Sequence, residues 1–158
     1  MEIEFKRLGE VDKSSLMELM NDPMVRRQMP LFTGAFDNDA CERFIETKEK
    51  IWEEHGFGPW AFVAGGEFAG WGGLQPENGE ADLALVLHPR YWGIGKVIYK
   101  RIIDIAFGEM GLNSITILLP PTRTKIQGLQ RLGFKEDGRL TIAGEVFIRF
   151  RLEKGRWC

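Results

Sequence analysis

The stretch from Asp82 to Gly108 reads D-L-A-L-V-L-H-P-R-Y-W-G-I-G-K-V-I-Y-K-R-I-I-D-I-A-F-G. Its first part, Leu83 to Leu87, is a short apolar run of the kind that forms a buried strand. Pro89 ends that run, because proline lacks the backbone donor that a strand needs. From Lys96 onward the apolar residues recur with helical spacing. The stretch therefore predicts a strand, a tight glycine turn and a long helix.

The turn has the composition of an anion-binding site. The first N–H groups of a helix have no partner within the helix, and the helix dipole adds partial positive charge there. Gly93 and Gly95 carry no Cβ that would hold an anion away from the backbone. Arg90 and Lys96 add a full charge on either side. Together these features predict a phosphate cradle.

Three phosphate-binding patterns compete for this turn. The dinucleotide fingerprint G-x-G-x-x-G fails because Val97 and Ile98 follow Gly95, and the Walker pattern fails because Lys96 is not followed by Ser or Thr. The segment Arg90-Tyr91-Trp92-Gly93-Ile94-Gly95 does match Q/R-x-x-G-x-G/A. On that match the chain resembles the GNAT acetyltransferases, which bind the pyrophosphate of acetyl-CoA. A glycine-rich turn without a ligand remains the alternative for these six residues.

Length and composition are those of one cytoplasmic globular domain. The chain has 158 residues, of which 44% are hydrophobic. No apolar run approaches the roughly 20 residues of a membrane span. Cys41 and Cys158 lie far apart and indicate free thiols, and the net charge of −2 does not favour nucleic-acid binding. We expect a single domain over residues 1–158, without a metal, membrane or nucleic-acid partner.

Charge is unevenly distributed along the chain. From His88 to Arg139 there are nine Lys or Arg against four acids, whereas from Asp37 to Glu54 there are seven acids against three bases. Two ordinary solvated helix faces would explain this pattern. The functional interpretation is a basic half for the cofactor and an acidic half for the acceptor.

The remaining patterns predict the element order β α α β β β α β α β β. Asp12 and Asp39 are placed to cap the first two helices, and Gly65-Gly66 is a hairpin turn composition. The expected fold is α/β (α+β), with a mixed central sheet of about seven strands and four helices. This order is similar to that of the GNAT fold over nearly the whole chain.

Two further segments carry the resemblance. Leu19 to Val25 resembles the segment after the first helix in RimJ/RimL-type members, which acetylate protein amino termini, and Leu129 to Phe134 resembles the late L-x-x-L-G-F segment. The resemblance implies an N-acetyltransferase that passes an acetyl group from acetyl-CoA directly to a primary amine. The acceptor that it favours is an α-amino group of a protein, a peptide or a small amino compound. A homodimer is left open.

The resemblance also places the cofactor, with the pantetheine arm along the strand and the pyrophosphate on the turn. Relatives often carry Asn and Ser where this chain has Thr122 and Lys125, and either residue here is expected to replace that contact. The implied cofactor-binding residues are Leu85, Val86, Leu87, Arg90, Trp92, Gly93, Ile94, Gly95, Lys96, Val97, Thr122 and Lys125.

The expected catalytic residue is Asp82, where RimJ/RimL-type relatives usually carry Glu. A carboxylate there could accept the amine proton, and an exposed Asp at a strand start is the alternative. Glu80, Glu77 and His55 are weaker candidates. Leu129 occupies the position of the Tyr acid of many relatives, which leaves open a non-catalytic acyl-CoA-binding or regulatory module, and less strongly a structural domain.

Overall fold

The structure is a computed structural model that describes residues 2–29, 31–123 and 126–157. In this part of the chain there are seven strands and five α-helices. The strands are β1 (Ile3–Lys6), β2 (Pro59–Ala64), β3 (Glu67–Glu77), β4 (Glu80–Leu87), β5 (Ser114–Leu119), β6 (Lys135–Ile142) and β7 (Glu145–Glu153). The helices are α1 (Lys13–Asn21), α2 (Pro23–Arg26), α3 (Asn38–His55), α4 (Gly95–Asp104) and α5 (Gln127–Leu132).

The strands are hydrogen-bonded in the order β1-β2-β3-β4-β5-β7-β6. The β1–β2, β2–β3, β5–β7 and β6–β7 pairs are antiparallel, and the β4–β5 pair is parallel. A parallel pair needs a long crossover, which the segment containing α4 supplies. The predicted mixed sheet of about seven strands is therefore confirmed.

Two hairpin turns follow from backbone chemistry. Gly65 and Gly66 have φ of 57° and 85°, and Asn78 and Gly79 have φ of 53° and 79°. A two-residue turn with positive φ at both positions matches the twist of the flanking strands, and Gly and Asn adopt this conformation at low cost. β3 consequently continues to Glu77, next to the Asn78-Gly79 turn.

The four predicted helices are present, and α2 is an additional short one. The Asp22 side chain accepts hydrogen bonds from the backbone N–H groups of Met24 (2.8 Å) and Val25 (3.2 Å), and Pro23 occupies the first helical position. Asp22-Pro23 therefore both ends α1 and starts α2. The last helix begins at Gln127.

The chain forms two compact units, Met1–Gln75 with Ala84–Gly95 and Pro76–Leu83 with Lys96–Cys158. The first unit has a core of buried apolar side chains from α1, α2, α3, β2 and β3, including Leu16, Met20 and Trp71. The second unit buries apolar residues of α4, β5 and β7, including Ile102, Ile117 and Phe150. The single domain expected over residues 1–158 stays a prediction.

Neither a membrane span nor a metal cluster is found in the residues that the structure describes. None of their helices is both long enough and apolar enough to cross a membrane. Their His, Cys, Asp and Glu side chains do not form a group of three or more that could hold a metal ion.

Candidate active site

The predicted turn after β4 is present and has a defined geometry. Pro89–Ile94 is a 3₁₀ helix that leads directly into α4 at Gly95. His88 caps it, because its Nδ1 accepts from the backbone N–H of Arg90 (3.3 Å) and from Arg90 Nε (3.4 Å). The backbone N–H of Gly95 donates to the carbonyl oxygen of Trp92. This amide is therefore already used within the turn, whereas the sequence argument treated it as available to an anion.

The two glycines of the turn differ in their surroundings. A Cβ added at Gly93 would meet no heavy atom within 4 Å. A Cβ at Gly95 would lie 3.6 Å from Leu87 Cδ1 and 3.7 Å from Leu85 Cδ2, which is ordinary van der Waals contact. Neither glycine has positive φ. Gly93 thus leaves open space above the backbone, as an anion-binding turn requires, and backbone strain is not the reason for either glycine.

The other residues expected to bind the cofactor fall into several environments. Arg90 and Lys96 are exposed, as charges that meet a phosphate from solvent would be. Trp92 and Val97 are apolar yet 47% and 53% exposed. Ile94 packs against buried residues of the first unit. Lys96 and Val97 belong to the second unit, whereas the 3₁₀ turn itself belongs to the first.

The strand residues of the predicted pantetheine site differ in burial. Leu85 and Val86 are half-buried, and Leu87 is buried. The Leu87 carbonyl oxygen accepts a hydrogen bond from Trp92 Nε1 at 3.0 Å. Thr122 lies exposed in the turn after β5. Lys125 is outside the described residues. The cofactor roles of all these residues stay predictions.

Asp82 has the environment of a proton acceptor. Its side chain is half-buried on β4, and Asp82 Oδ1 accepts from Thr116 Oγ1 on β5 at 2.9 Å. Burial raises the pKa of Asp82 from its ordinary value near 3.8 to about 7, and the negative charge of Glu77 adds to the rise. The Thr116 hydroxyl opposes it, since its hydrogen bond favours the charged form. Titration near neutral pH is the property that a general base needs.

The weaker candidates for the base differ from Asp82 in their partners. Glu80 Oε2 accepts from Arg151 Nη1 at 2.7 Å, and this hydrogen bond lowers the pKa of Glu80. His55 lies exposed in the last turn of α3, where a cation suits the helix dipole. Glu77 is exposed. Of the two carboxyl groups on β4, the pKa of Glu80 is lowered, whereas that of Asp82 is raised to about 7.

Sequence reasoning missed three residues around Asp82. Thr116 donates to its carboxylate, and Tyr99 on α4 interacts with it electrostatically. Arg123 donates a hydrogen bond to the Tyr99 hydroxyl. Burial is the largest cause of the raised pKa of Tyr99, which keeps the phenol protonated at neutral pH. A polar residue within an apolar strand and a tyrosine within an apolar helix stripe were the available signals.

Leu129 is the residue that the resemblance aligns with the tyrosine acid of many relatives, and its side chain cannot donate a proton. Leu129 is 5% exposed on α5 and contributes to the buried apolar side chains of the second unit. Tyr99 on α4 is a phenol that interacts electrostatically with the Asp82 carboxylate. The pair supplies one group able to accept a proton near neutral pH and one that remains protonated there.

Comparison with known proteins agrees with this fold. The model of the acetyltransferase (GNAT) domain family matches residues 3–135, which is most of the chain. A GNAT-family acetyltransferase from Bacillus anthracis superposes with a TM-score of 0.78 and 15% identity, covering 98% of this chain and 96% of that chain. Spermidine N-acetyltransferase from Vibrio cholerae, solved with CoA and spermine, superposes with a TM-score of 0.76 and 17% identity. The match covers 98% of this chain and 96% of that chain.

A third structure is a Vibrio cholerae protein provisionally named as a ribosomal-protein-serine acetyltransferase. It superposes with a TM-score of 0.73 and 18% identity, covering 97% of this chain and 94% of that chain. At these identities the structural likeness concerns the fold. The family model, by contrast, spans β4, the turn after it, α4 and β5, so it includes the segment from which the site is built. The chain therefore belongs to the GNAT acetyltransferase family.

Proposed function

We propose that the chain transfers the acetyl group of acetyl-CoA to the α-amino group of a protein, a peptide or a small amino compound, with Asp82 taking the amine proton. The amine nitrogen attacks the thioester carbonyl, the carbon–sulfur bond breaks, and CoA leaves as the thiolate. The observation that carries the proposal is the half-buried Asp82 carboxyl. Its pKa is about 7, and in the described part of the chain it has no ion-pair partner.

The acceptor class follows from matching proton affinities. A model α-amine has a pKa of about 7.7–8.0, and a lysine amine has one of about 10.4. A carboxylate with a pKa of about 7 lies within roughly one unit of the α-amine and more than three units below lysine. Proton transfer to Asp82 is therefore only slightly uphill from an α-amine. The base suits an α-amino acceptor better than a lysine side chain.

The turn from Arg90 to Gly95 is the proposed pyrophosphate site. The space above Gly93 admits an anion, and the exposed Arg90 side chain offers a guanidinium that suits phosphate. Lys96, the second residue of α4, adds an exposed ammonium. When acetyl-CoA is bound, the turn from Arg90 to Gly95 would hold its phosphates, and the thioester itself would supply the activated acetyl group.

The leaving group needs little help from an acid. Thiols have a pKa of about 8.5, so the CoA thiolate is a tolerable leaving group near neutral pH. The replacement of the family tyrosine by the buried Leu129 is therefore compatible with turnover. Tyr99 belongs to the same unit as Asp82 and remains protonated at neutral pH, so it is the phenol that could serve as an acid there.

The acidic segment from Asp37 to Glu54 gives weaker support for a cationic acceptor than its composition indicates. Arg7 pairs with Glu49 at 2.6 Å and Lys13 pairs with Glu42 at 2.9 Å, and both cations lie outside the segment. The net charge of −4 between Asp37 and Glu54 thus becomes −2 when these two cations are added. The RimJ/RimL-type resemblance and a cytoplasmic location remain parts of the proposal, and they rest on sequence.

A non-catalytic acyl-CoA-binding or regulatory module is the second candidate. Leu129 favours it, because that side chain lies in the apolar interior and cannot donate a proton. In such a module the cofactor turn would bind CoA while no acetyl group is transferred. Asp82 would then be a half-buried carboxyl without a chemical task, which is a destabilising arrangement that a module has no reason to keep.

A CoA-release assay over a panel of amines separates the two candidates. The full-length chain is mixed with acetyl-CoA and, in separate reactions, a peptide with a free amino terminus, an amino acid amide and a polyamine. Free thiol is measured, and acetylated product is identified by mass. We expect acceptor-dependent thiol release with at least one α-amine. Tight CoA binding without release in any reaction would favour the binding module.

A further inference from the structure

Thr116 and Asp82 are joined twice. They are the register pair of the parallel β4–β5 ladder, so their backbones lie side by side in the sheet. Their side chains are also joined, because Thr116 Oγ1 donates to Asp82 Oδ1 at 2.9 Å. A backbone pair and a side-chain hydrogen bond between the same two residues leave the carboxyl group little freedom to rotate. Both residues lie within one compact unit.

Thr116 carries a buried hydroxyl group in an otherwise apolar part of β5. Its side chain is 1% exposed in a strand whose neighbouring positions, Ile115 and Ile117, are buried and apolar. Valine has the same shape and would fill this position without a polar group to satisfy. The hydroxyl is satisfied by the Asp82 carboxylate. Sheet packing accounts for a β-branched residue at position 116, but it does not account for the oxygen atom.

Several groups face Asp82 from the elements around it. Glu77 at the end of β3 adds negative charge, and Tyr99 on α4 interacts with Asp82 through space while receiving a hydrogen bond from Arg123. Thr116 on β5 provides the hydrogen bond. In the described residues no Lys or Arg forms an ion pair with Asp82, so the Thr116 hydroxyl is the group shown to stabilise its ionised form directly.

We propose that Thr116 is a positioning residue for Asp82 in the acetyl transfer proposed above, holding Oδ1 so that Oδ2 is the oxygen that receives the amine proton. The assignment rests on that proposed function. When one oxygen of a carboxylate accepts a hydrogen bond from a fixed donor, the other oxygen is held in one orientation. The same hydrogen bond keeps the carboxylate ionised at a lower pH than burial alone would allow.

The test compares Thr116→Val, which keeps the shape and removes the hydroxyl, with Thr116→Ser, which keeps the hydroxyl. The readout is kcat/KM against pH with a small α-amine acceptor. Loss of a hydrogen bond to a charged group is expected to raise the pKa of Asp82 by about one unit. T116V should therefore turn over several-fold more slowly at pH 7 and recover at higher pH, and T116S should retain the parent profile.

A second measurement keeps the test decisive if T116V is unstable. The Asp82 carboxyl carbon is followed by NMR against pH in the parent and in Thr116→Ala, which also removes the hydroxyl with less bulk. An upward shift of the titration supports the assignment, and an unchanged midpoint overturns it. An unchanged pH–rate profile in a folded T116V protein overturns it as well.

The closing control separates this inference from the function on which it rests. If D82N is inactive and T116V matches the parent in rate and profile, the role of Thr116 is wrong while the proposed base survives. If D82N keeps the parent rate and profile, the proposed function falls and the role of Thr116 falls with it. In a D82N background, T116V should cause no further shift of the pH–rate profile.

Discussion

Trp92 Nε1 and the Leu87 carbonyl oxygen are joined by a hydrogen bond of 3.0 Å, which connects the turn from Arg90 to Gly95 to the end of β4. The indole is 47% exposed, so this bond holds a large apolar side chain at the surface of the turn. It also occupies a backbone acceptor at the end of the strand expected to pair with pantetheine.

Trp92→Phe should weaken CoA binding by loosening the turn. The substitution keeps an aromatic ring and removes the donor, at a typical cost of about 0.5–1.5 kcal/mol, which corresponds to roughly a 2- to 13-fold rise in Kd. Trp157→Phe is the matched control, because Trp157 Nε1 donates to Asp104 Oδ1 at 2.7 Å and both of these residues belong to the second unit. Calorimetry with CoA should show weaker binding for W92F only. Equal affinities for the parent and W92F would contradict this account of the turn.

Gly93→Glu should abolish CoA binding without unfolding the protein. The position is exposed and a Cβ there meets nothing within 4 Å, so the folded state accommodates the side chain while its carboxylate repels phosphate. Ligand at about 100 times its Kd stabilises a protein by roughly 2.7 kcal/mol, and G93E should lose this stabilisation. Gly93→Ala is the control and should retain most of it. A G93E protein that CoA stabilises as strongly as the parent would sink the proposed phosphate site.

Asp82→Asn should flatten the pH dependence of stability. Because the pKa of Asp82 is about 7 in the folded protein and near 3.8 ordinarily, the folded state binds more protons than the unfolded state between these values. Asp82 therefore lowers the free energy of unfolding as pH rises from about 4 to about 7. In urea unfolding, the free energy of unfolding of D82N relative to the parent should be higher at pH 8 than at pH 5.

Glu80→Gln serves as the control of opposite sign. The pKa of Glu80 is lowered by its hydrogen bond from Arg151, so its contribution to stability is present above the ordinary carboxyl range and is lost on acidification. E80Q should be less stable than the parent at pH 8 and should keep the slope that Asp82 causes. A D82N protein with the parent's slope between pH 5 and pH 8 would show that Asp82 does not titrate near neutrality.

The acceptor prediction is tested by competition between two peptides. One has a free amino terminus and no lysine, and its twin has a blocked terminus and one lysine. The pKa of about 7 at Asp82 favours the first, since its α-amine is far closer in proton affinity. Mass spectrometry of both peptides after partial turnover gives the ratio. Preferential acetylation of the lysine peptide would reverse the assignment, and reaction with neither would direct it to a small amine.

Most of the fold was predictable because its signals are local. Gly65-Gly66 and Asn78-Gly79 have the residues that a two-residue hairpin turn demands, and both turns are present with positive φ. The apolar strand, the 3₁₀ turn and α4 follow from one continuous stretch. The missed helix α2 also had a local signal, since an Asp before a Pro is a helix start as well as a helix stop.

The candidate site was less predictable because its contacts are distant in sequence. Thr116 is 34 residues from Asp82, and only the parallel register of β4 and β5 makes them neighbours. Arg151 is 71 residues from Glu80, yet that ion pair lowers the pKa of Glu80 and distinguishes it from Asp82. In the sequence, Asp82 is distinguished from the other acidic residues only by resemblance to relatives. Burial and partners, which no local pattern reveals, give a physical reason for the choice.

The most direct measurement of the central claim is the pH dependence of kcat/KM for the parent and D82N, with CoA affinity measured on the same samples. We predict that the parent shows an ionisation near pH 7 in addition to that of the amine. D82N should lose this ionisation and turn over at least tenfold more slowly, with CoA affinity nearly unchanged. The same rate and the same pH profile in D82N, with CoA still bound, would contradict the account.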